Sequence, residues 1–140
     1  DPFLDAERAA TISPNLRFTD DLLDLCASCD YITIHVPATP KTKGMIGANE
    51  IAAMKEGAAF LNFSRDTLVD NDAMRAGLTS GKVRRYVTDF ATPEVMTMEG
   101  ALVLPHLGAS TAEAEENCAE MAVREVMDYL ETGKKVHCVN

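Results

Sequence analysis

No G-x-G-x-x-G run occurs in this sequence, and neither does a tandem repeat, a low-complexity segment or a long apolar stretch. Each absence removes a class. Without ~18 consecutive apolar residues no helix of this chain spans a bilayer. Without internal periodicity the chain is not a solenoid or an array. Basic residues are scarce, 13 Lys and Arg against 22 Asp and Glu, and the net charge of -9 argues against nucleic acid or an anionic membrane surface as partner. No signal-peptide pattern opens the chain, which starts abruptly at Asp1; it is expected to be a piece of something longer. What remains is an ordinary globular balance of 46% apolar and 25% charged residues over 140 positions. That is enough for one domain burying about two-thirds of its unfolded surface.

Four cysteines are present. Cys26 and Cys29 have a C-x-x-C spacing, open to a redox or metal pair or to small buried hydrophobes. Leu22, Cys26 and Cys29 share one face of an expected helix, with Leu25 beside them. No second C-x-x-C and no nearby histidine completes a metal set, which favours buried thiols in a reducing, cytoplasmic compartment and no metal.

Polar, turn-prone sequence is expected from Asp5 through Arg17. Thr19 can then cap a helix of residues 20–28. The β-branched run 31–36, bounded by Asp30 and Pro37, predicts a strand. A helix over 50–55 stopped by Gly57, a strand over 59–63 and a loop over 64–69 follow. Asp70 can cap a helix to about Thr79 that ends at Gly81. A strand is expected over 83–90, a loop over 91–100 and a short buried strand over 101–104. Ser110 and Glu113 have capping-box spacing. The last helix, to Thr132, has a 3.6-residue apolar period through Ala114, Cys118, Met121, Ala122, Val126 and Tyr129 or Leu130, expected to be buried. Strands alternating with helices imply a parallel sheet with right-handed crossovers.

In such sheets ligands bind at the carboxyl ends of the strands. Those ends carry Pro37, then Asn62-Phe63-Ser64-Arg65, then Asp89, then Pro105-His106. Arg65 can hold a carboxylate by two parallel hydrogen bonds, or form a surface ion pair with Asp66 or Asp70. Asp89 can accept from a carboxamide, pair with Arg65 or serve as a turn residue. His106 is either an acid/base group or a solvated loop histidine. Glu94 either orients His106 and raises its pKa or lies in solvent. An arginine, a carboxylate and a histidine suit proton transfer on a hydroxyl beside a carboxylate, but a hydride acceptor must come from a cofactor.

The runs Asp30-Tyr31-Ile32-Thr33-Ile34-His35-Val36-Pro37, Asn62-Phe63-Ser64-Arg65-x-x-Leu68-Val69-Asp70, Val87-Thr88-Asp89-Phe90 and Pro105-His106-Leu107-Gly108-Ala109-Ser110-Thr111 closely resemble the D-isomer-specific 2-hydroxyacid dehydrogenases. The resemblance covers nearly all of the chain. It implies an α/β, Rossmann-type doubly wound parallel sheet lacking its opening strand–helix unit, so that residues 1–140 are a partial NAD-binding domain with most of the substrate-binding domain elsewhere. It implies NAD as cofactor and a 2-hydroxy or 2-keto acid as substrate. Arg65, Glu94 and His106 would be the catalytic set. Asp1 and Pro2 would meet the adenosine ribose, and Val36 and Pro37 the adenosine side. Phe63, Ser64, Arg65, Asp89, His106, Gly108 and Ala109 would complete the cofactor site. There are departures: Asp66 stands where the family usually has glycine, and Pro93 precedes Glu94 where a proline usually follows. The missing opening strand would leave strand edges unpaired, inviting homo-oligomers, and the chain alone is expected to be inactive. The alternative is a non-catalytic binding or interaction module that kept the fold.

Overall fold

The alternating apolar segments pair into one parallel sheet. In the computed structural model, which describes residues 5–13 and 15–137, strands β1 (Tyr31–Ile34), β2 (Ala58–Asn62), β3 (Val83–Thr88) and β4 (Ala101–Val103) lie in the order β1-β2-β3-β4. All three pairings are parallel. The chain divides into two compact units, Asp1–Pro105 and His106–Asn140. The first holds the sheet with helices α1 (Ala6–Ile12), α2 (Leu22–Ser28), α3 (Ala48–Ala53), α4 (Asn71–Ser80) and α5 (Pro93–Met96). The second holds α6 (Ala112–Thr132).

One face of the sheet carries the core. Ile32 and Ile34 of β1 are buried while Tyr31 and Thr33 between them are exposed, as the two-residue repeat of a strand requires. Phe60 and Tyr86 continue this face across β2 and β3, their ring centroids 6.1 Å apart. Cys26, Ile46, Ile51, Met54, Leu68 and Met74 cover it. Helix α3 packs against α2 and α4, and α4 against β3. Cys26 is fully buried and Cys29 packs on the same core. Burial, then the Glu50 charge and Cys29, push the Cys26 thiol up to about 11. Among the described residues, no group of three or more His, Cys, Asp or Glu could hold a metal ion. No described helix is long and apolar enough to cross a membrane.

Helix ends follow side-chain chemistry. Asp70 accepts from the Asp72 and Ala73 N–H groups, each at 3.0 Å, and Gly81 closes α4 in the left-handed region at φ 81°. Both match the sequence expectation. Asp21, not Thr19, caps α2: its carboxylate accepts from Leu23 and Asp24, while the Thr19 hydroxyl accepts from the Asp21 N–H. A carboxylate is the stronger acceptor, so it takes the cap. Helix α3 starts earlier than expected because the Glu50 carboxylate reaches back to the Gly47 N–H at 3.0 Å. The polar opening segment contains α1, capped by Asp5, and the loop after β3 contains α5, capped by Thr92 with Pro93 at its first position. Strands β1, β3 and β4 are shorter than expected and β2 lies one residue earlier, because the ladders stop together at Ile34 opposite Asn62 and Thr88 opposite Val103.

In the second unit, the Ser110 N–H donates to the Leu107 carbonyl at 3.0 Å. The Thr111 hydroxyl, rather than Ser110, caps α6 by accepting from Ala114 at 3.1 Å, so Glu113 falls one position short of a capping box. Nothing on α6 is buried, which corrects the expected buried stripe through Ala114, Cys118, Met121, Ala122, Val126 and Tyr129 or Leu130. A lone helix has no second layer within its own unit against which to bury a face.

Gly77 sets the approach of α4 to α3 and β3. A Cβ there would lie 2.7 Å from Ile51 Cγ2 and 3.3 Å from Val83 Cγ2. Gly77→Ala is therefore expected to destabilise the fold by about 1–3 kcal/mol, the usual cost of overpacking. A denaturant midpoint measures this; an unchanged midpoint would mean the helices separate freely.

Candidate active site

Parallel pairing brings all four strand ends to one edge. Ile34, Asn62, Thr88 and Val103 are successive partners across the sheet. The segments that leave this row carry Val36-Pro37, Phe63-Ser64-Arg65 and Asp89, the positions singled out in the sequence. Five of the expected residues come together here. Val36, Pro37, Phe63, Ser64 and Arg65, with His35, line one cleft of about 290 Å³. That volume suits a small acid or one ring of a larger ligand rather than a whole dinucleotide.

The backbone of the cleft is stitched by side chains. The Ser64 hydroxyl donates to the Ile34 carbonyl at 2.8 Å, tying the loop after β2 to the end of β1. Asn62, fully buried, accepts from the Ser64 N–H at 3.1 Å and donates from Nδ2 to the Arg65 carbonyl at 2.8 Å. The Arg65 guanidinium is exposed and donates to the Ser64 carbonyl at 2.6 Å. On the other wall, the Thr42 hydroxyl donates to the Pro37 carbonyl at 2.7 Å and accepts from the Thr39 N–H at 2.9 Å. Gly44 then donates to the Thr67 carbonyl at 2.8 Å, and Ile46 to that of Leu68 at 3.1 Å. The two loops flanking the cleft are thereby fastened to each other. Asp66 faces solvent and accepts from the Thr67 N–H at 2.8 Å, at the start of a 3₁₀ turn of residues 66–68.

The other expected residues lie at varying removes. Asp89 directly follows β3 and is half-buried. Glu94 sits in the first turn of α5, exposed, on a helix anchored by buried Val95 and Met98. Arg75 of α4 fixes that helix, donating to the carbonyls of Glu94 at 2.8 Å and Thr97 at 3.3 Å and to the Thr97 hydroxyl at 3.0 Å. His106, Gly108 and Ala109 are exposed in the second unit, and a Cβ on Gly108 would meet open space. Asp1 and Pro2 lie outside the described residues. Asn62, Tyr86, Thr88 and Arg75 had no role in the sequence reading. The available signal was an amide and a hydroxyl at the ends of otherwise apolar strands, where short polar side chains bond to the local backbone.

Val36 and Pro37, expected on the adenosine side, line this one cleft together with Phe63, Ser64 and Arg65. No glycine turn with a helix amino terminus, the usual pyrophosphate cradle, stands among these residues.

Comparison with known proteins shows the family. Residues 2–108 match the family described as D-isomer specific 2-hydroxyacid dehydrogenase, NAD binding domain. The chain is 35% identical over 136 residues to a D-3-phosphoglycerate dehydrogenase of Methanocaldococcus jannaschii, covering 93% of this chain and 26% of that protein. It is 34% identical over 133 residues to a glyoxylate/hydroxypyruvate reductase B of Cronobacter sakazakii, covering 90% of this chain and 41% of that one. The holo structure of Rhodotorula graminis D-mandelate dehydrogenase shares the fold, with a TM-score of 0.79 at 23% identity over 90% of this chain and 38% of that chain. The chain thus spans less than half the length of each of these proteins. The match over residues 2–108, more than half of the chain, shows that the chain belongs to the D-isomer-specific 2-hydroxyacid dehydrogenase family through its NAD-binding domain.

Proposed function

We propose that the chain works as the carboxyl-terminal part of the NAD-binding domain in an NAD-dependent oxidoreductase that acts on a D-2-hydroxy acid, and that this acid is 3-phosphoglycerate. The observation that carries the reading is the cleft between the ends of β1 and β2, with Arg65 at its mouth on a loop held from both sides. The identities with D-3-phosphoglycerate dehydrogenases support the choice of acid and a place at the start of phosphorylated serine synthesis. The pyrophosphate cradle and the second wall of the substrate site then come from sequence outside this chain, and the isolated chain turns over no acid. Among the described residues β1 lies at an edge of the sheet, which supports self-association of the isolated chain into homo-oligomers.

Nicotinamide supplies the hydride acceptor. The chain's own residues bind, orient and move a proton. Arg65 presents a planar fork that holds the acid's carboxylate in two parallel hydrogen bonds and so fixes the direction of the adjoining C2. Phe63 shields the nicotinamide ring from water, which strengthens nearby electrostatic interactions, while Val36 and Pro37 line the adenosine side. His106 takes the hydroxyl proton as the acid is oxidised and returns it in the reverse direction. Glu94 is the third member of this proposed catalytic set.

Two substitutions in the complete enzyme test these assignments. Arg65→Lys keeps the charge and loses the fork, so KM for the acid should rise more than KM for NAD. Steady-state kinetics with each substrate varied decides it, and equal effects or none would make Arg65 structural. His106→Gln should lower kcat by roughly 10²–10⁴, the usual contribution of a positioned acid/base. A kcat near that of the parent would point to a binding module that kept the fold without the chemistry.

A further inference from the structure

We propose that Tyr86 and Thr88, acting through buried Asn62, are positioning residues that set Arg65 for the acid's carboxylate. The proposal rests on the role given to Arg65 above and extends it to side chains that touch neither acid nor cofactor.

Asn62, Tyr86 and Thr88 lie on the covered face of the sheet, with Tyr86 two residues before Thr88 on β3 and Asn62 opposite Thr88 on β2. Asn62 and Thr88 are 0% exposed and Tyr86 is 1% exposed. Packing alone does not call for polar groups here, because replacing both partners of a buried hydrogen bond by apolar groups of the same shape is close to neutral. Each group is instead in use. The Thr88 hydroxyl donates to the Asn62 main-chain carbonyl at 2.8 Å and accepts from the Phe90 N–H at 3.2 Å. The Tyr86 hydroxyl interacts with the side chains of both Asn62 and Thr88. The Asn62 amide has two chemically different ends, and only one orientation puts its oxygen on the Ser64 N–H and its nitrogen on the Arg65 carbonyl.

The cluster's outgoing bonds point in one direction. They reach the main chain of Ser64, Arg65 and Phe90, the segments that leave β2 and β3 at the candidate site. The guanidinium of Arg65 is exposed, so no surrounding core holds it; what is fixed is the backbone from which it extends. Loss of the Tyr86 hydroxyl removes a partner of the Asn62 amide, and loss of the Thr88 hydroxyl removes the partner of both Tyr86 and the Asn62 main-chain carbonyl; either loosens the amide that tethers the Arg65 main chain. A loosened Arg65 weakens grip on the carboxylate while leaving the nicotinamide walls in place. Networks of this kind transmit a deletion at one member to the geometry of the others.

The test uses the complete enzyme and the variants Tyr86→Phe, Thr88→Val and Thr88→Ser, with Arg65→Lys alongside. Two quantities are read: the separate KM values for 3-phosphoglycerate and NAD, and equilibrium binding of oxalate to the enzyme–NADH complex. Oxalate is an unreactive dicarboxylate, so this second readout depends neither on turnover nor on which acid is natural. Tyr86→Phe and Thr88→Val should each raise the acid KM and weaken oxalate about fivefold to tenfold, the size of one buried hydrogen bond. The NAD KM should stay within about twofold, and Thr88→Ser, which keeps the hydroxyl, should behave like the parent. Folded Tyr86→Phe with unchanged oxalate affinity would overturn the proposal, as would an equal rise in both KM values or a Thr88→Ser as impaired as Thr88→Val. Tyr86→Phe decides alone if Thr88→Val does not fold. If Arg65→Lys weakens oxalate and the Tyr86 and Thr88 variants do not, only this proposal fails; if Arg65→Lys has no effect, the Arg65 assignment fails with it.

Discussion

The level row through Ile34, Asn62, Thr88 and Val103 is the constraint on which the rest of the structure depends. Parallel pairing forces the four strands to end together, so the chain leaves the sheet at neighbouring points after each strand. Side chains of that row then do two jobs. Ile34 closes the core, while Asn62 and Thr88 turn inward-facing polar groups onto the departing backbone. The site is therefore an extension of the core rather than an ornament on it. A slip in register would displace Arg65 from Val36 and Pro37 and reverse the faces of the strand that moved.

The covering layer serves the same edge. Gly77 lets α4 approach α3 closely enough for the Ile51 methyl to fill the space where a side chain would stand. Asp70 begins α4 immediately after the loop that carries Arg65, and Ile46 accepts the Asp70 N–H at 3.0 Å, so helix start and loop end are fixed together. Arg75, a turn further along α4, reaches the carbonyls of α5. Helix α4 thus links the loop after β2 to the segment bearing Glu94 through these hydrogen bonds.

The sequence made the sheet legible because four apolar, β-branched or aromatic segments recur between breakers, and it made α4 legible because Asp70 and Gly81 stand at its ends. It also placed Arg65 at a strand end, and the structure puts it there beside Val36, Pro37, Phe63 and Ser64. What it hid has physical causes. Thr19 and Asp21 are both competent caps, and only their competition in three dimensions assigns α2 to Asp21. Helices α1 and α5 have seven and four residues, too short for a periodic signal, and rest on caps and local burial. Asn62 reads as an ordinary polar terminus of a strand until its partners appear: one bond to Ser64 and one to Arg65 reveal the role. The apolar period of α6 marks an amphipathic helix correctly, but periodicity says only that a face is apolar, not that its own unit covers it.

The proposed function requires that hydride pass directly from a D-2-hydroxy acid to a nicotinamide bound at this edge of the sheet. Isotope transfer tests it most directly. The complete protein is incubated with NAD and 3-phosphoglycerate deuterated at C2, and the NADH formed is analysed by mass and NMR. The account expects deuterium at nicotinamide C4, on a single face of the ring. Reduced cofactor without deuterium, label scrambled over both faces, or a folded protein that reduces no NAD with this acid would contradict it.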